Sequence, residues 1–118
     1  MKLNQQGFAY ALNIIRPKWN VEIILQLTEG AKRFNEIWSA INGISAKSLT
    51  KSLKHLEECG IIYRKQYPEV PPHVEYSLTA IGRDIERLLS LLNEWGTEHH
   101  SKYDEIMQES PVLRLDFM

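Results

Sequence analysis

The chain has 118 residues, of which 43% are hydrophobic and 25% charged, as expected for one soluble globular domain with a modest core. Its formal net charge of −1 excludes a strong overall attraction to polyanions, and its single cysteine, Cys59, excludes an internal disulfide framework and suits a reducing compartment. Its apolar runs are shorter than the roughly 20 residues of a membrane span, and residues 8–15 lack the flanks of a signal peptide, so we expect a cytoplasmic protein with no membrane partner.

The first predicted element, over residues 8–15, is a short helix that is apolar on nearly every side. Such a helix must be covered all round, so we expect a second subunit to help cover it. The residues predicted for this dimer contact are Phe8, Leu12 and Ile15. Pro17 separates this element from residues 18–27, which predict the first helix of the core. Residues 31–33 are predicted to form a short strand.

Two consecutive helices are predicted next, joined by a short turn that contains Gly43. Residues 34–41 have apolar side chains at helical spacing. The second helix carries its own boundaries, because Ser45 is a good N-cap and Gly60 suits the left-handed position after a helix end. Its apolar stripe consists of Leu49, Leu53 and Leu56. The spacing predicts a helix-turn-helix, in which the second helix enters the major groove of DNA.

The polar face of this second helix is rich in amines and hydroxyls. Lysine can donate to guanine and a hydroxyl can contact several bases, but a flexible ammonium suits phosphate equally well. The residues predicted to contact DNA here are Ser45, Ala46, Lys47, Ser48, Thr50 and Lys51, with Lys54 and His55 on the backbone further along and Arg33 on a phosphate. The alternative is that Lys47 and Lys51 belong to a solvated helix face.

A two-stranded hairpin is predicted after the helix pair, with strands over residues 61–67 and 74–78 and a proline-stiffened tip. Helix, turn, helix and hairpin together make a winged helix, a mainly α fold with a small β-hairpin. The wing residues predicted near the minor groove or flanking phosphates are Arg64, Lys65 and His73. Arg64 has a second interpretation, a cross-strand pair with Glu75.

The C-terminal region predicts a long helix that starts after Thr79, a second plausible N-cap. A heptad seam is formed by Ile81, Ile85, Leu88, Leu92 and Trp95. Further leucines widen the apolar arc beyond what one neighbour covers, so we expect the helix to face both its own domain and a partner subunit; a single buried core helix is the alternative. The predicted dimer residues are Leu89, Leu91, Leu92 and Trp95. Gly96 is expected to kink or stop the helix, which would resume over residues 98–108.

The predicted organisation is therefore one winged-helix domain over residues 1–118. Residues 18–79 form its core, residues 8–15 and 80–109 its dimerisation helices, and residues 110–118 an apolar tail. Charge is distributed unevenly along it. Residues 44–67 contain five Lys or Arg and two Glu, a balance of +3, whereas residues 79–118 contain four basic and eight acidic residues, a balance of −4. Such a bipolar chain can present a basic face to phosphates despite its net charge.

Several segments also carry the residue order of a known family. They are Arg33-Phe34-Asn35-Glu36-Ile37, Gly43-Ile44-Ser45-x-Lys47-x-Leu49-Thr50, Gly60-Ile61-Ile62-x-Arg64 and Pro71-Pro72-x-Val74-Glu75-Tyr76-Ser77-Leu78-Thr79-x-x-Gly82. In these segments the chain resembles the HxlR-type winged-helix transcription regulators of bacteria, over residues 12–95. The resemblance implies a homodimer that binds a pseudo-palindromic operator. His73 stands where that family usually has Arg or Lys, which lowers the charge of the wing unless His73 is protonated.

Other signals are weaker. Some members of that family sense oxidants through a cysteine ahead of the first helix, but Cys59 ends the predicted recognition helix and is read as a small buried hydrophobe. His100 and Asp104 are too few to predict a metal site, and no phosphate loop or catalytic motif predicts a cofactor or an enzyme. The rival function is a winged helix that binds protein instead of DNA. A small-molecule effector near Trp19, Trp38 and Trp95 is left open, as are the operator and the sign of regulation.

Overall fold

The computed structural model describes residue 2 and residues 4–109 of the chain. Along that part, five helices and three strands follow one another. They are α1 (Gln5–Ile15), α2 (Asn20–Leu27), β1 (Lys32–Arg33), α3 (Phe34–Ala40), α4 (Ala46–Glu58), β2 (Ile62–Tyr67), β3 (His73–Leu78) and α5 (Ala80–Glu109). This mainly helical fold with a small antiparallel sheet confirms the predicted winged helix. The chain divides into two compact units, Met1–Glu86 and Arg87–Met118, and the predicted tail lies outside the described residues.

The core of the Met1–Glu86 unit lies where α4 packs against α2 and β2. Fully buried aliphatic side chains from helices and strands meet there: Ile23, Ile24, Leu27, Ile37, Leu49, Leu53, Leu56, Ile61 and Ile62. The complete burial of the three leucines confirms the predicted apolar stripe of α4. Because burying one such side chain contributes about 1.5–3 kcal/mol, this stripe fixes which face of α4 is left for solvent.

Both ends of α4 follow the predicted capping chemistry. The Ser48 amide donates to Ser45 Oγ at 3.0 Å, which satisfies one of the unpaired donors of the first turn. At the other end, Gly60 adopts a φ of 76°, and the Ile61 amide donates to the Leu56 carbonyl at 3.0 Å. This arrangement closes the last turn and favours a residue without Cβ. Gly43, in the turn before α4, has a φ of 86°, which likewise favours a residue without Cβ.

The sheet has the strand order β1-β3-β2, and both pairings are antiparallel. The register places Arg64 opposite Tyr76, and Glu75 opposite Lys65 on one side and Arg33 on the other. The predicted cross-strand pair between Arg64 and Glu75 is therefore wrong. The two residues are one position out of register, and a shift of one residue moves a side chain to the opposite face of a sheet.

Thr79 joins the end of α4 to the start of α5. Its hydroxyl lies 2.6 Å from the Gly60 carbonyl and 3.1 Å from the Ile61 carbonyl, and it accepts a hydrogen bond from the Gly82 amide at 3.0 Å. The predicted N-cap is thus confirmed. Gly82 is buried against the Ile61 carbonyl so closely that any Cβ there would collide with it. The contact requires glycine at this position.

The largest differences from the predicted boundaries concern three helices, while the other elements differ by at most one residue at an end. The first helix begins at Gln5 instead of residue 8, because Asn4 Oδ1 accepts from the Gly7 amide and caps it. The second begins at Asn20 instead of residue 18. The prediction that Gly96 kinks or stops the last helix is wrong, since α5 continues through it to Glu109. Within the described residues, no helix is long and apolar enough to cross a membrane.

Candidate nucleic-acid interface

The polar face of α4 presents three lysines to solvent. Lys47, Lys51 and Lys54 are all exposed, and they lie opposite the buried leucine stripe. None of the three forms an ion pair with a carboxylate of the described residues. Their charges are therefore not neutralised by the protein, and three ammonium groups are available to one external polyanion.

The hydroxyl groups predicted on this helix are partly used by the helix itself. Ser45 Oγ is occupied by the Ser48 amide and also lies 3.0 Å from Ser48 Oγ. Thr50 Oγ1 donates to the Ala46 carbonyl at 2.8 Å, so only its lone pairs face outward. Ser45 thus acts first as a cap. Thr50 can accept a hydrogen bond from a DNA base, but its proton is already engaged.

His55, predicted to meet the DNA backbone, instead turns both ring nitrogens towards the protein. Asn20 is fully buried, and its Nδ2 donates to the Ile14 carbonyl at 2.9 Å and lies 3.1 Å from His55 Nδ1. A carbonyl requires a donor, which fixes the amide orientation and makes His55 Nδ1 an acceptor. The proton is then on Nε2, which lies 3.6 Å from Cys59 Sγ. Sequence spacing alone could not reveal this partner, which is 35 residues away.

Cys59 belongs to the same polar group. Asn13 Nδ2 lies 3.8 Å from its Sγ, and the Tyr10 hydroxyl donates to its carbonyl at 2.8 Å. The thiol is half-buried, and burial raises its pKa above the ordinary value, with a further contribution from the Glu58 carboxylate. A raised pKa leaves less of the nucleophilic thiolate at neutral pH. The structure therefore places Cys59 in a packing environment that does not activate it.

The wing carries less uncompensated charge than α4. Arg33, Arg64 and Lys65 are exposed, but Lys65 faces Glu75 across the sheet, and its Nζ lies 4.8 Å from the centre of the Tyr67 ring. Arg33 also pairs with Glu75 in the register of β1. Arg64 projects from the other face of the sheet. Unlike Lys65 and Arg33, which both lie opposite Glu75, Arg64 has an uncharged cross-strand neighbour, Tyr76.

His73 is held between two carboxylates. Its Nδ1 lies 3.2 Å from Glu69 Oε2 and its Nε2 lies 3.1 Å from Glu75 Oε2, while the ring stacks on Tyr67 at 4.5 Å. Its side chain is only 14% exposed. A neutral imidazole can donate to one of the two carboxylates, whereas the protonated ring can donate to both. The structure thus directs His73 to these acids and leaves it little surface for DNA.

The residues predicted for dimer contacts separate into exposed and buried ones. In the Arg87–Met118 unit, Leu91, Leu92 and Trp95 are 62%, 48% and 66% exposed. In contrast, Leu89 is only 7% exposed, and its dimer contact stays a prediction. In the Met1–Glu86 unit, Phe8 is 54% exposed, and Leu12 and Ile15 are half-buried. The large exposed side chains form apolar surface that a solitary chain would leave in water.

A cavity of about 400 Å³ beside the lysine face involves residues that the sequence pattern did not single out. It lies between the start of α2 and one side of α4. Its lining comprises Pro17, Lys18, Trp19, Asn20, Ser48, Lys51, Ser52 and His55. Trp19 lines this cavity, whereas Trp38 lines a different one. Only the position of Lys18, at the start of the helix predicted over residues 18–27, could have pointed to this site.

Comparison with known proteins places this geometry in a family. The model of HxlR-like helix-turn-helix proteins matches residues 14–104. The chain is 39% identical over 95 residues to the HTH-type transcriptional regulator YdeP of Bacillus subtilis, covering 80% of this chain and 74% of YdeP.

Solved structures of transcriptional regulators have a similar fold. A protein of Enterococcus faecalis V583 assigned to the MarR family of transcriptional regulators superposes with a TM-score of 0.79 at 33% identity, covering 89% of this chain and 96% of that one. The redox regulator HypR in its reduced form superposes with a TM-score of 0.77 at 35% identity, covering 84% and 98%. These relatives are regulators of transcription or of redox response, so the protein-binding alternative is not favoured.

Proposed function

The chain belongs to the family of HxlR-like helix-turn-helix proteins and is a DNA-binding transcription regulator, and from this premise we propose how it engages its operator. The N-terminal half of α4 enters the major groove, and the wing lies beside the adjacent minor groove or phosphates. Two copies of the chain act together on a pseudo-palindromic site. The residues of α4 that carry the contact are Ala46, Lys47, Ser48, Thr50, Lys51 and Lys54.

One observation carries this proposal: the face of α4 that its buried leucines leave free bears three exposed lysines, none of them in an ion pair with a residue that the structure describes. Lysine contacts to phosphate give affinity and fix the position of the helix, whereas base edges give sequence preference. Lys47 lies nearest to the start of the helix, where residues reach base edges in helix-turn-helix complexes. We therefore assign base reading to the first turn and phosphate contact to Lys51 and Lys54.

The homodimer is proposed from the exposed apolar side chains of α5 and α1. Leu91, Leu92, Trp95 and Phe8 would be covered by the second copy. A two-fold axis would then set the two α4 helices about 34 Å apart, one turn of DNA, and the half-sites at the same spacing. An effector that changes this spacing would change affinity for the operator.

Gel shifts on genomic fragments test the DNA contact. The protein is mixed with fragments at low salt, and the shifted complexes are challenged with higher salt and with competitor DNA. We expect a subset of fragments to survive the challenge and footprinting to show two protected half-sites. If every fragment is released equally, sequence-specific binding is excluded.

The dimer is tested by light scattering during size-exclusion chromatography at micromolar concentration. We expect twice the mass of 13.8 kDa for the wild-type chain. Trp95→Asp should shift the peak towards the monomer, because a buried charge without a partner is costly. Lys102→Gln, on the same helix, serves as the control that leaves the dimer intact. A monomeric wild-type chain would contradict the proposal.

A further inference from the structure

We propose that the cavity between the first turn of α2 and the side of α4 is a phosphate subsite, which holds a backbone phosphodiester of the DNA strand bordering the major groove. Lys18 is its principal ligand, and the inference adds a contact to the proposed function on which it rests. The chemistry follows from two lysines and two serines that face one cavity from different helices.

The cavity adjoins the proposed DNA face directly. Ser48, Lys51, Ser52 and His55 line it from α4, at helical spacings of three and four residues. Lys51 therefore belongs both to the exposed lysine face and to the cavity wall. A DNA strand that passes over Lys51 would run along the open side of this cavity before reaching α2.

The charges around the cavity favour an anion. Its lining includes two ammonium groups, Lys18 and Lys51, and no Asp or Glu. Trp19, at the N-cap position of α2, makes no capping hydrogen bond with its side chain, so the first turn of the helix adds its own positive end to the site. Glu22 lies in the first turn of α2 but is not part of the lining, so the two lysines and the helix start face the cavity without a carboxylate in its wall, which suits a phosphate group.

The walls of the cavity are held in place before DNA arrives. Lys18 Nζ lies 4.7 Å from the centre of the Trp19 ring, a cation–π contact between two residues of the lining. Asn20 ties α4 to α1 by its contacts with His55 Nδ1 and the Ile14 carbonyl. Because these groups need little reordering, the entropy cost of the contact is reduced.

The test measures the salt dependence of binding to a fluorescein-labelled mixed-sequence duplex by fluorescence anisotropy, between about 50 and 200 mM KCl. A mixed sequence is suitable because phosphate contacts are independent of base identity. The variants are Lys18→Gln, Lys18→Arg and Lys47→Gln, with Lys102→Gln in α5 as the matched control. Thermal unfolding of each variant checks that the fold is intact, and sodium phosphate is compared with sodium chloride at equal ionic strength.

We expect Lys18→Gln to lower the log–log salt slope by about 0.9, so that the loss of affinity is about threefold greater at the low-salt end than at the high-salt end. Lys18→Arg should restore the slope, and Lys102→Gln should not change it. An unchanged slope in Lys18→Gln, with a lowered slope in Lys47→Gln, would overturn this inference and leave the proposed function standing. If neither Lys18→Gln nor Lys47→Gln changes the slope, both fail.

The phosphate comparison separates the two sources of the same chemistry. If DNA supplies the phosphate, sodium phosphate should displace the duplex no better than sodium chloride at equal ionic strength. Stronger displacement by phosphate that is lost in Lys18→Gln would show a site for a small free anion and would overturn the DNA assignment.

Discussion

The recognition helix and the wing both carry basic residues, but they treat those charges in opposite ways. On α4, Lys47, Lys51 and Lys54 have no carboxylate partner among the described residues. On the wing, Lys65 faces Glu75 across the sheet, and His73 bridges Glu69 and Glu75. Charge available for DNA is therefore concentrated on the helix, and the hairpin is close to neutral.

This difference indicates separate tasks for the two elements. Unpaired cations attract phosphates and make binding strongly dependent on salt. Paired charges across strands contribute mainly to holding the hairpin, since each such pair is worth a few tenths to one kcal/mol. We infer that α4 supplies most of the affinity, whereas the wing supplies shape and a weaker contact through Arg64. The following experiments test that division.

The largest effect is expected from the hidden side of the helix. Leu53 is 2% exposed, and Leu53→Ala should lower the free energy of unfolding by about 2–5 kcal/mol, because it removes buried methyl groups and leaves a cavity. Thermal or urea unfolding measures this change. Lys54→Ala, the exposed neighbour, should unfold like the wild type. A loss below about 1 kcal/mol in Leu53→Ala would show that the stripe does not anchor α4.

The next effect concerns the exposed side. Lys47→Ala and Lys51→Ala should each lower the log–log salt slope of duplex binding by about one and weaken binding, with unfolding unchanged. Lys65→Ala should reduce the slope less, since its charge is already opposed by Glu75. If anisotropy shows that Lys65→Ala lowers the slope as much as the α4 variants do, the helix and the wing do not differ in the charge that they offer to DNA.

A smaller effect is expected when the wing loses an acid. Glu75 is flanked in the sheet by Arg33 and Lys65 and lies 3.1 Å from His73 Nε2. Glu75→Gln should make the potential around these neighbours more positive and tighten duplex binding by about twofold, because an opposite charge next to a surface cation is worth about half a kcal/mol. Glu98→Gln, exposed on α5, is the control. Weaker binding with an unchanged unfolding temperature would mean that Glu75 orders the wing for its contact.

The smallest effect is expected in the reactivity of Cys59, at the C-terminal end of α4. Because the pKa of Cys59 is raised by burial and by Glu58, less thiolate is present at neutral pH than for a free cysteine. Iodoacetamide should therefore label the folded chain more slowly than the chain unfolded in urea. The labelling rate of the folded chain should still be rising with pH above the ordinary pKa of a thiol, because the pKa of Cys59 is higher. Mass spectrometry follows the reaction. Labelling as fast as in urea would indicate an exposed, reactive thiol.

The local chemistry of the winged helix could be predicted because single residues decide it. Ser45, Gly60 and Thr79 mark helix boundaries by their own hydrogen bonding or backbone freedom, and the structure uses all three. Gly96 misled the prediction for the opposite reason. One glycine costs a helix only about 1 kcal/mol, and the helix-forming residues on both sides outweigh it.

The site residues that sequence reasoning missed depend on distant partners. His55 turns inward because Asn20, on another helix, holds its Nδ1. Arg64 and Glu75 do not face each other, because the register of the hairpin pairs Arg64 with Tyr76. The proline-rich tip sets this register, and the alternation of residues in the strands does not specify it. The cavity at Lys18 exists only because α2 and α4 pack side by side. These features are tertiary, so composition and spacing could not place them.

The Thr79 hydroxyl has a mechanical consequence. Because the Thr79 side chain contacts the carbonyls that follow α4 and the amide of Gly82 in α5, a displacement of the first turn of α5 would be transmitted to the C-terminal end of α4. The close contact of Gly82 with the Ile61 carbonyl adds a second connection at the same place, so the two helix ends would move together.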